Sequence, residues 1–228
     1  MCDLIFLQEV VGYHRKHSAE QFGHDSQFEY LADKLWDHYA YSKNAVYETG
    51  HHGNVILSRY PIESWDTRDI STNRFESRKI LYAKVNLMNK QGDGKESYLH
   101  CFCVHLDLTH RGRKRQYDIL CKEVIEKCPD QDDKIIIAGD FNDWNRKSGD
   151  FLGQRLGAIE AFSKLSGKYA KTFPAKLPVL PLDRIYTKNL QVTGGTVLKG
   201  KTYRMLSDHR PILCELELYI EARESRVV

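Results

Sequence analysis

Several things are missing from this chain, and each absence removes a class of protein. No run approaches the roughly 18 consecutive apolar residues that a membrane-crossing helix requires. The N-terminus carries no basic segment followed by an apolar stretch and a small-residue cleavage site, so no signal peptide is expected and the expected location is cytoplasmic. Six cysteines are present, but none is spaced as Cys-x-x-Cys. They are expected to be mostly buried free thiols rather than disulfides or zinc ligands. Neither sign of charge dominates: 34 Lys and Arg face 31 Asp and Glu, a formal net charge of +3. Electrostatic attraction to a polyanion must therefore come from local clusters. There is no internal repeat, no low-complexity tract and no linker. A long basic stripe and a loop of interleaved aromatics are also lacking, so sequence-specific DNA binding is not expected.

What is present is a chain of 228 residues, 41% apolar and 29% charged, the balance of a soluble globular domain. Strand-like runs recur at 4–7, 55–57, 80–85, 98–104, 135–138, 182–186 and 212–218. Helical periodicity is sparser. It places Phe28, Leu31, Ala32, Leu35 and Trp36 on one face after a Ser26 N-cap. It also places Tyr117, Leu120, Cys121, Val124 and Ile125 on one face of 113–127, and a shorter helix at 159–165. Consecutive strands with few helices between them imply antiparallel pairing. The expectation is an α/β (α+β) fold with two mainly antiparallel sheets packed together and helices outside. One domain over 1–220 is expected, followed by a charged tail over 221–228.

Polar residues suited to catalysis recur where the apolar strands end. Leu-Ile-Phe-Leu-Gln-Glu ends on Glu9, and Cys-Phe-Cys-Val-His ends on His105. Ile-Ile-Ile-Ala-Gly-Asp-Phe-Asn presents Asp140 and Asn142, Leu-Pro-Leu-Asp-Arg-Ile-Tyr carries Asp183, and Leu-Ser-Asp-His-Arg-Pro carries Asp208 and His209. Loops at strand ends are where rigid sheets hold functional groups. Glu9 and Asp208 offer the oxygen donors that Mg²⁺ or Mn²⁺ prefers. If the turn after Gly139 stays extended, Asp140 and Asn142 face one side, the first to orient or deprotonate water and the second to donate to a phosphoryl oxygen. Asp183 can hold the tautomer of His209. Each site also has a plainer explanation: an Asx-turn for Asp140 and Asn142, a surface ion pair for Asp183 and Arg184, a core histidine for His105. Five sites of one chemical kind in one chain favour the functional explanation.

The motifs Leu-Gln-Glu, Gly-Asn-Val-Ile-Leu-Ser-Arg-Tyr-Pro-Ile, Val-His-Leu, Gly-Asp-Phe-Asn and Ser-Asp-His-Arg-Pro stand in an order that resembles the endonuclease/exonuclease/phosphatase superfamily, from Asp3 to Leu218. The resemblance implies a four-layer α/β/β/α sandwich and Mg²⁺- or Mn²⁺-dependent phosphoester hydrolysis. By motif position it implies Glu9 and Asp208 as metal ligands, Asp140 as the water-orienting acid and Asn142 as the transition-state donor. It also implies His209 as the catalytic histidine with Asp183 as its partner, His105 as a phosphate-binding or proton-donating group, and Arg78 as a further phosphate contact. One departure accompanies it. Members ordinarily begin with a strand ending in an aromatic-Asn pair and a helix ahead of the Gln-Glu motif, whereas this chain opens almost at that motif. A core sheet with an exposed edge is the expectation.

Fold does not select the substrate. The run His110-Arg111-Gly112-Arg113-Lys114-Arg115-Gln116 puts cations at a helix N-terminus, where they oppose the dipole unless an anion is near. Arg111 and Arg113 are thus candidate phosphate contacts for a substrate with several phosphates or an anionic lipid surface, or else part of a solvated basic patch. This run and Leu-Pro-Leu-Asp-Arg-Ile-Tyr resemble a bacterial subgroup, some members of which are encoded beside cardiolipin synthase. A phospholipid-linked phosphodiester is therefore the expected substrate, with non-specific cleavage of nucleic acid as the alternative. The rival from another class is a non-catalytic scaffold that keeps the fold and binds a partner through the cleft.

Overall fold

The computed structural model describes residues 2–14, 26–72, 76–87, 97–144, 146 and 148–218; the charged tail lies outside them. The strands are β1 (Leu4–His14), β2 (His38–Tyr47), β3 (Gly50–Ser58), β4 (Ile62–Asp69), β5 (Lys79–Asn86), β6 (Tyr98–His105), β7 (Lys134–Asp140), β8 (Ile159–Glu160), β9 (Asp183–Lys188), β10 (Leu190–Val197) and β11 (Ile212–Leu218). The helices are α1 (Gln27–Lys34), α2 (His110–Lys127), α3 (Ser148–Leu156), α4 (Ala161–Ser166) and α5 (Lys201–Leu206). A six-stranded sheet has the order β4-β5-β6-β7-β9-β8, and its pairs are antiparallel apart from the parallel β6–β7 pair. A parallel neighbour needs a crossover, which α2 supplies.

The core follows from this layering. One face of the six-stranded sheet presents Ile80, Tyr82, Phe102, Val104, Ile135, Ile137 and Tyr186 to Tyr117, Leu120, Cys121 and Val124 of α2 and Leu152 and Leu156 of α3. The other face presents Leu81, Ala83, Val85, Cys101, Cys103, Ile136 and Ala138 to Ile56, Leu4 and Phe6, and to Leu190 and Leu216. Beyond β1 and β3, α1 closes the stack with Phe28, Leu31 and Ala32 over Ile5, Leu7, Val55 and Leu57. The result is the four-layer α/β/β/α arrangement, and β6, covered on both faces, is buried from Leu99 to His105.

The second sheet layer is in two hydrogen-bonded pieces, a three-stranded β1-β3-β2 sheet and a two-stranded β10-β11 pair. Among the described residues no pairing joins them. The facing strands are correspondingly more open: Leu4 to Leu7 are half-buried, whereas Val55, Ile56 and Leu57 beside them are fully enclosed.

Several local expectations need correction. β1 does not end at Glu9; it runs on to His14 through an irregularity between Leu7 and Val10. Residues 159–160 pair as β8 before α4 begins, because Glu160 is the helix cap, accepting from Ser163 N at 2.6 Å. Leu35 and Ile125 are exposed rather than core. Strands β2, β4 and β10 carry mixed polar patterns and were not anticipated from apolar runs. Ser26 does cap α1, accepting from Glu29 N at 3.2 Å while its hydroxyl donates to Glu29 Oε2 at 2.6 Å. The six cysteines are free, four of them buried.

Gly139 has a packing role that sets the spacing of the central strands. Its φ is +142°, and an added Cβ would lie 2.0 Å from Val104 O on the neighbouring strand. A Gly139→Ala substitution should therefore lose at least about 2 kcal/mol of stability from backbone strain and the forced separation of β6 and β7. Urea unfolding should show a lower midpoint; an unchanged midpoint would mean the strands yield without cost.

Candidate functional site

The ends of β6, β7 and β9 meet in register. His105 is the cross-strand partner of Asp140, and Asp140 that of Asp183. Three polar side chains from distant parts of the sequence are thereby lined up at one end of the central strands. Leu106 N donates to Asp140 O at 2.9 Å and Phe141 N to Leu182 O at 3.0 Å, continuing the ladder past the strand ends. His209 arrives from the loop after α5, and its Nδ1 lies 2.8 Å from Asp183 Oδ2. The loop carrying His209 is tied to 172–175: Ala175 N donates to Asp208 O at 2.6 Å and Arg210 N to Thr172 O at 2.9 Å. The ring of Phe173 packs against His209 with centroids 4.9 Å apart.

The turn after Gly139 is not extended. Asn142 has φ +47°, and its N–H donates to Asp140 Oδ1 at 2.8 Å, closing an Asx-turn. The Asn142 amide also donates from Nδ2 to Leu106 O at 2.9 Å. The plainer explanation and the functional one therefore coexist: the turn that buries Asp140 and Asn142 also fixes them. Glu9 is likewise at positive φ, +58°, an unusual backbone for a non-glycine residue. The bulge there turns its carboxylate to solvent and brings Oε1 to 3.9 Å from His105 Nδ1.

The electrostatics of the group are uneven. Burial, reinforced by Asp183, pushes the Asp140 carboxyl up to about 6, against the opposing pull of His209, the Asn142 N–H and Arg78. Burial disfavours the imidazolium of His209, but the hydrogen bond and charge of Asp183, with Asp140 and Asp208, outweigh it and raise that group to about 9. His105 is pushed down to about 3 by burial, helped by Arg78, His209 and His52. Its 3.5 Å approach to Asp140 Oδ2 is thus a contact of a neutral ring with a carboxylate and not an ion pair.

Arg78 is buried beside this group, bonded to Glu76, with its Nε unpartnered. His52, which sequence patterning missed, lies within electrostatic reach of Glu9, Arg78 and His105; only the cross-strand register of β1, β2 and β3 could reveal it. Asn54 is also structural, donating to Lys79 O at 3.1 Å and Cys103 O at 3.4 Å across the sheet layers.

Arg113 needs correction as a phosphate contact. It is fully buried, its Nη1 donates to Asp107 O and Leu108 O at 3.0 and 2.7 Å, and its guanidinium stacks over Trp144. Gly112 and Gln116 face inward as well, while Arg111, Lys114 and Arg115 are exposed. The anion that the basic first turn needs comes from the chain itself. Asp107 accepts from Thr109 N at 2.6 Å, and its carboxylate lies so close over the turn that a Cβ on Gly112 would meet it at 2.4 Å. Arg184, far from forming a surface pair with Asp183, is fully buried and donates to Pro181 O and Asp143 O.

For a divalent ion the donor chemistry fits. Glu9 and Asp208 are exposed, and among the described residues no hydrogen bond occupies either carboxylate. Mg²⁺ commonly keeps several waters and takes one or two carboxylates, and each of these exposed carboxylates is a donor of that kind. Among the described residues no helix is long and apolar enough to cross a membrane.

Comparison with known proteins bears on the family and the fold. Residues 1–209 match the Endonuclease/Exonuclease/phosphatase family. The Escherichia coli K12 protein YbhP is 42% identical over 218 residues, covering 95% of this chain and 83% of YbhP. Among solved structures, an endonuclease/exonuclease/phosphatase from Bacteroides vulgatus superposes with a TM-score of 0.72 at 17% identity, covering 95% of this chain and 85% of that one. A mannosyl-6-phosphatase from Bacteroides thetaiotaomicron gives 0.66 at 17% identity, with 95% and 85% covered. D. rerio TDP2 complexed with a single-strand DNA product gives 0.64 at 18% identity, with 94% and 86% covered. At such identities these structures speak to the fold alone, and it is the sequence match across most of its length that makes this chain a member of the Endonuclease/Exonuclease/phosphatase family.

Proposed function

We propose that this protein is a phosphodiesterase that hydrolyses a phospholipid-linked phosphodiester by in-line attack of water, using Mg²⁺ or Mn²⁺ held by Glu9 and Asp208. Family membership implies a metal-dependent phosphoester hydrolase or nuclease; the finer reading is ours. The observation that carries it is the in-register row His105, Asp140 and Asp183, completed by His209 at 2.8 Å from Asp183.

When bound, the metal polarises a phosphoryl oxygen and neutralises charge that develops on it. The protein's own groups do the rest. Asp140, a carboxyl raised toward neutrality, orients the attacking water and takes its proton as the new P–O bond forms and the leaving-group bond breaks. His209, oriented by Asp183, donates to a phosphoryl oxygen, as does the second N–H of the Asn142 amide. His105 and Arg78 contact the phosphate from the other side of Asp140, and Arg111 is an outlying contact from the exposed face of α2. Hydrolysis of a chromogenic phosphodiester should require Mg²⁺ or Mn²⁺ and cease with chelator. Asp140→Asn, Asp208→Asn and His209→Ala should each lower kcat by roughly 10²–10⁴ with circular dichroism unchanged. Turnover undiminished in folded Asp140→Asn and Asp208→Asn would sink these roles and favour the scaffold.

The choice of a lipid-linked substrate rests on the rim beside Asp208 and His209. Met205 and Leu206 of α5 are 75% and 76% exposed, and Leu177, on the 172–181 loop tied to Asp208, is 73% exposed. The exposed cations Lys176, Lys201 and Arg204 flank them. Apolar tips among cations suit the boundary of an anionic lipid surface. Replacing Met205 and Leu206 together by Ser should reduce turnover of a phosphodiester embedded in anionic vesicles several-fold while sparing a soluble chromogenic one. Equal effects on both substrates, or efficient cleavage of single-stranded DNA with no turnover on vesicles, would redirect the reading to nucleic acid.

A further inference from the structure

A second cluster of ligating side chains lies at the opposite end of β6. His100 precedes His105 by five positions, about 16 Å along an extended strand, and so is remote from the row described above. Its Nε2 is 3.5 Å from Asp133 Oδ1. Cys128, the residue that caps the C-terminus of α2, completes a group whose ligand atoms all lie within 4.8 Å of one another. Among the described residues it is the one group of three such donors that close.

Each donor is held by a separate contact. Tyr82 Oη lies 3.0 Å from His100 Nδ1; with the phenol accepting from Nδ1–H, the lone pair is left on Nε2, toward Asp133. This is the outer partner that metal-bound histidines ordinarily have. Asp133 divides its carboxylate: Oδ2 accepts from Asp130 N at 3.0 Å, closing the turn between α2 and β7, while Oδ1 faces the histidine. Asn189 Nδ2 clamps the same turn, donating to Gln131 O at 2.6 Å and Asp133 O at 2.8 Å. Cys128 N donates to Val124 O at 2.9 Å, so the backbone that carries the thiol is anchored to the helix end. His100 and Cys128 are each 6% exposed, while the Asp133 side chain is 18% exposed and offers the way in.

We propose that His100, Cys128 and Asp133 form a zinc site that staples the α2–β7 turn to β5 and β6, with water as a fourth ligand. Nitrogen, sulfur and one oxygen suit Zn²⁺ and not the oxygen-seeking Mg²⁺ or Mn²⁺ of the catalytic row. Bonds of about 2.0–2.3 Å to a tetrahedral ion set its donors about 3.3–3.7 Å apart. The histidine–aspartate separation already meets that, and the thiol needs to close by about 1 Å at most. On binding, the Cys128 S–H bond breaks, the sulfur keeps the electron pair as the metal–sulfur bond forms, and the proton passes to solvent. For Cys128 this departs from the expectation that the cysteines are mostly free thiols rather than zinc ligands. The competing explanation is a histidine–aspartate hydrogen bond that happens to lie beside a buried thiol.

Cobalt(II) separates the two, because a thiolate bound to cobalt gives a charge-transfer absorption that oxygen ligands do not. Titrating the reduced full chain with Co²⁺ should raise this band to one equivalent, and added Zn²⁺ should bleach it. The band should vanish in Cys128→Ser and persist in Cys214→Ser and Asp208→Asn. Should Cys128→Ser fail to fold, Asp133→Asn decides, with Co²⁺ affinity falling by at least the roughly tenfold that losing even an outer partner costs. Absence of the band in the wild-type chain, an undiminished band in folded Cys128→Ser, or an unchanged Co²⁺ affinity in Asp133→Asn would overturn the proposal.

Discussion

The structure depends on the close pairing of β6 with β7 at Gly139. Because Val104 O occupies the space a side chain would need, the two strands stay in register to their ends, and His105 and Asp140 are held side by side. Pairing of β7 with β9 extends the row to Asp183, which in turn receives His209. A backbone constraint is thus converted into side-chain geometry. Hydrogen-bonded ladders position groups more tightly than loops can.

Beneath the row lies a second set of buried polar groups. Asp143 accepts from Ser148 N at 2.7 Å through its side chain and from Arg184 through its carbonyl. Ser148 pairs with the Tyr186 hydroxyl at 2.7 Å, and Arg184 stacks over Tyr169. Such networks are expensive to desolvate and lock the geometry of what they support. Arg113, which looks like a substrate contact in the sequence, is likewise committed to internal carbonyls, those of Asp107 and Leu108.

Legibility in the sequence varied with the kind of signal. Fully buried strands such as β6 and β7 stand out as apolar runs, and the motif-bearing residues at their ends are placed where the runs stop. Strand β2 escapes because one face meets water, and the edge strand β4 because nearly all of it is exposed, so polar residues interrupt both patterns. Glu9 is legible in the sequence as a candidate ligand but not as a bulge within a longer strand, since a positive φ leaves no mark on a sequence without glycine. Similarly, Gly-Asp-Phe-Asn marks Asp140 and Asn142, yet the Asx-turn that buries them shows only in the hydrogen bond at 2.8 Å.

By itself the sequence determined the family, the layered fold class and the identity of the polar residues at the strand ends, because those depend on local apolar runs and motifs read in order. Only the tertiary structure decided which arginines point inward, that His52 and Arg78 neighbour the row, and that His100, Cys128 and Asp133 converge. The reason is physical. Whether a charge faces solvent or a carbonyl, and whether two donors approach within bonding distance, is set by strand register and helix packing between segments dozens of residues apart. No local pattern encodes those distances.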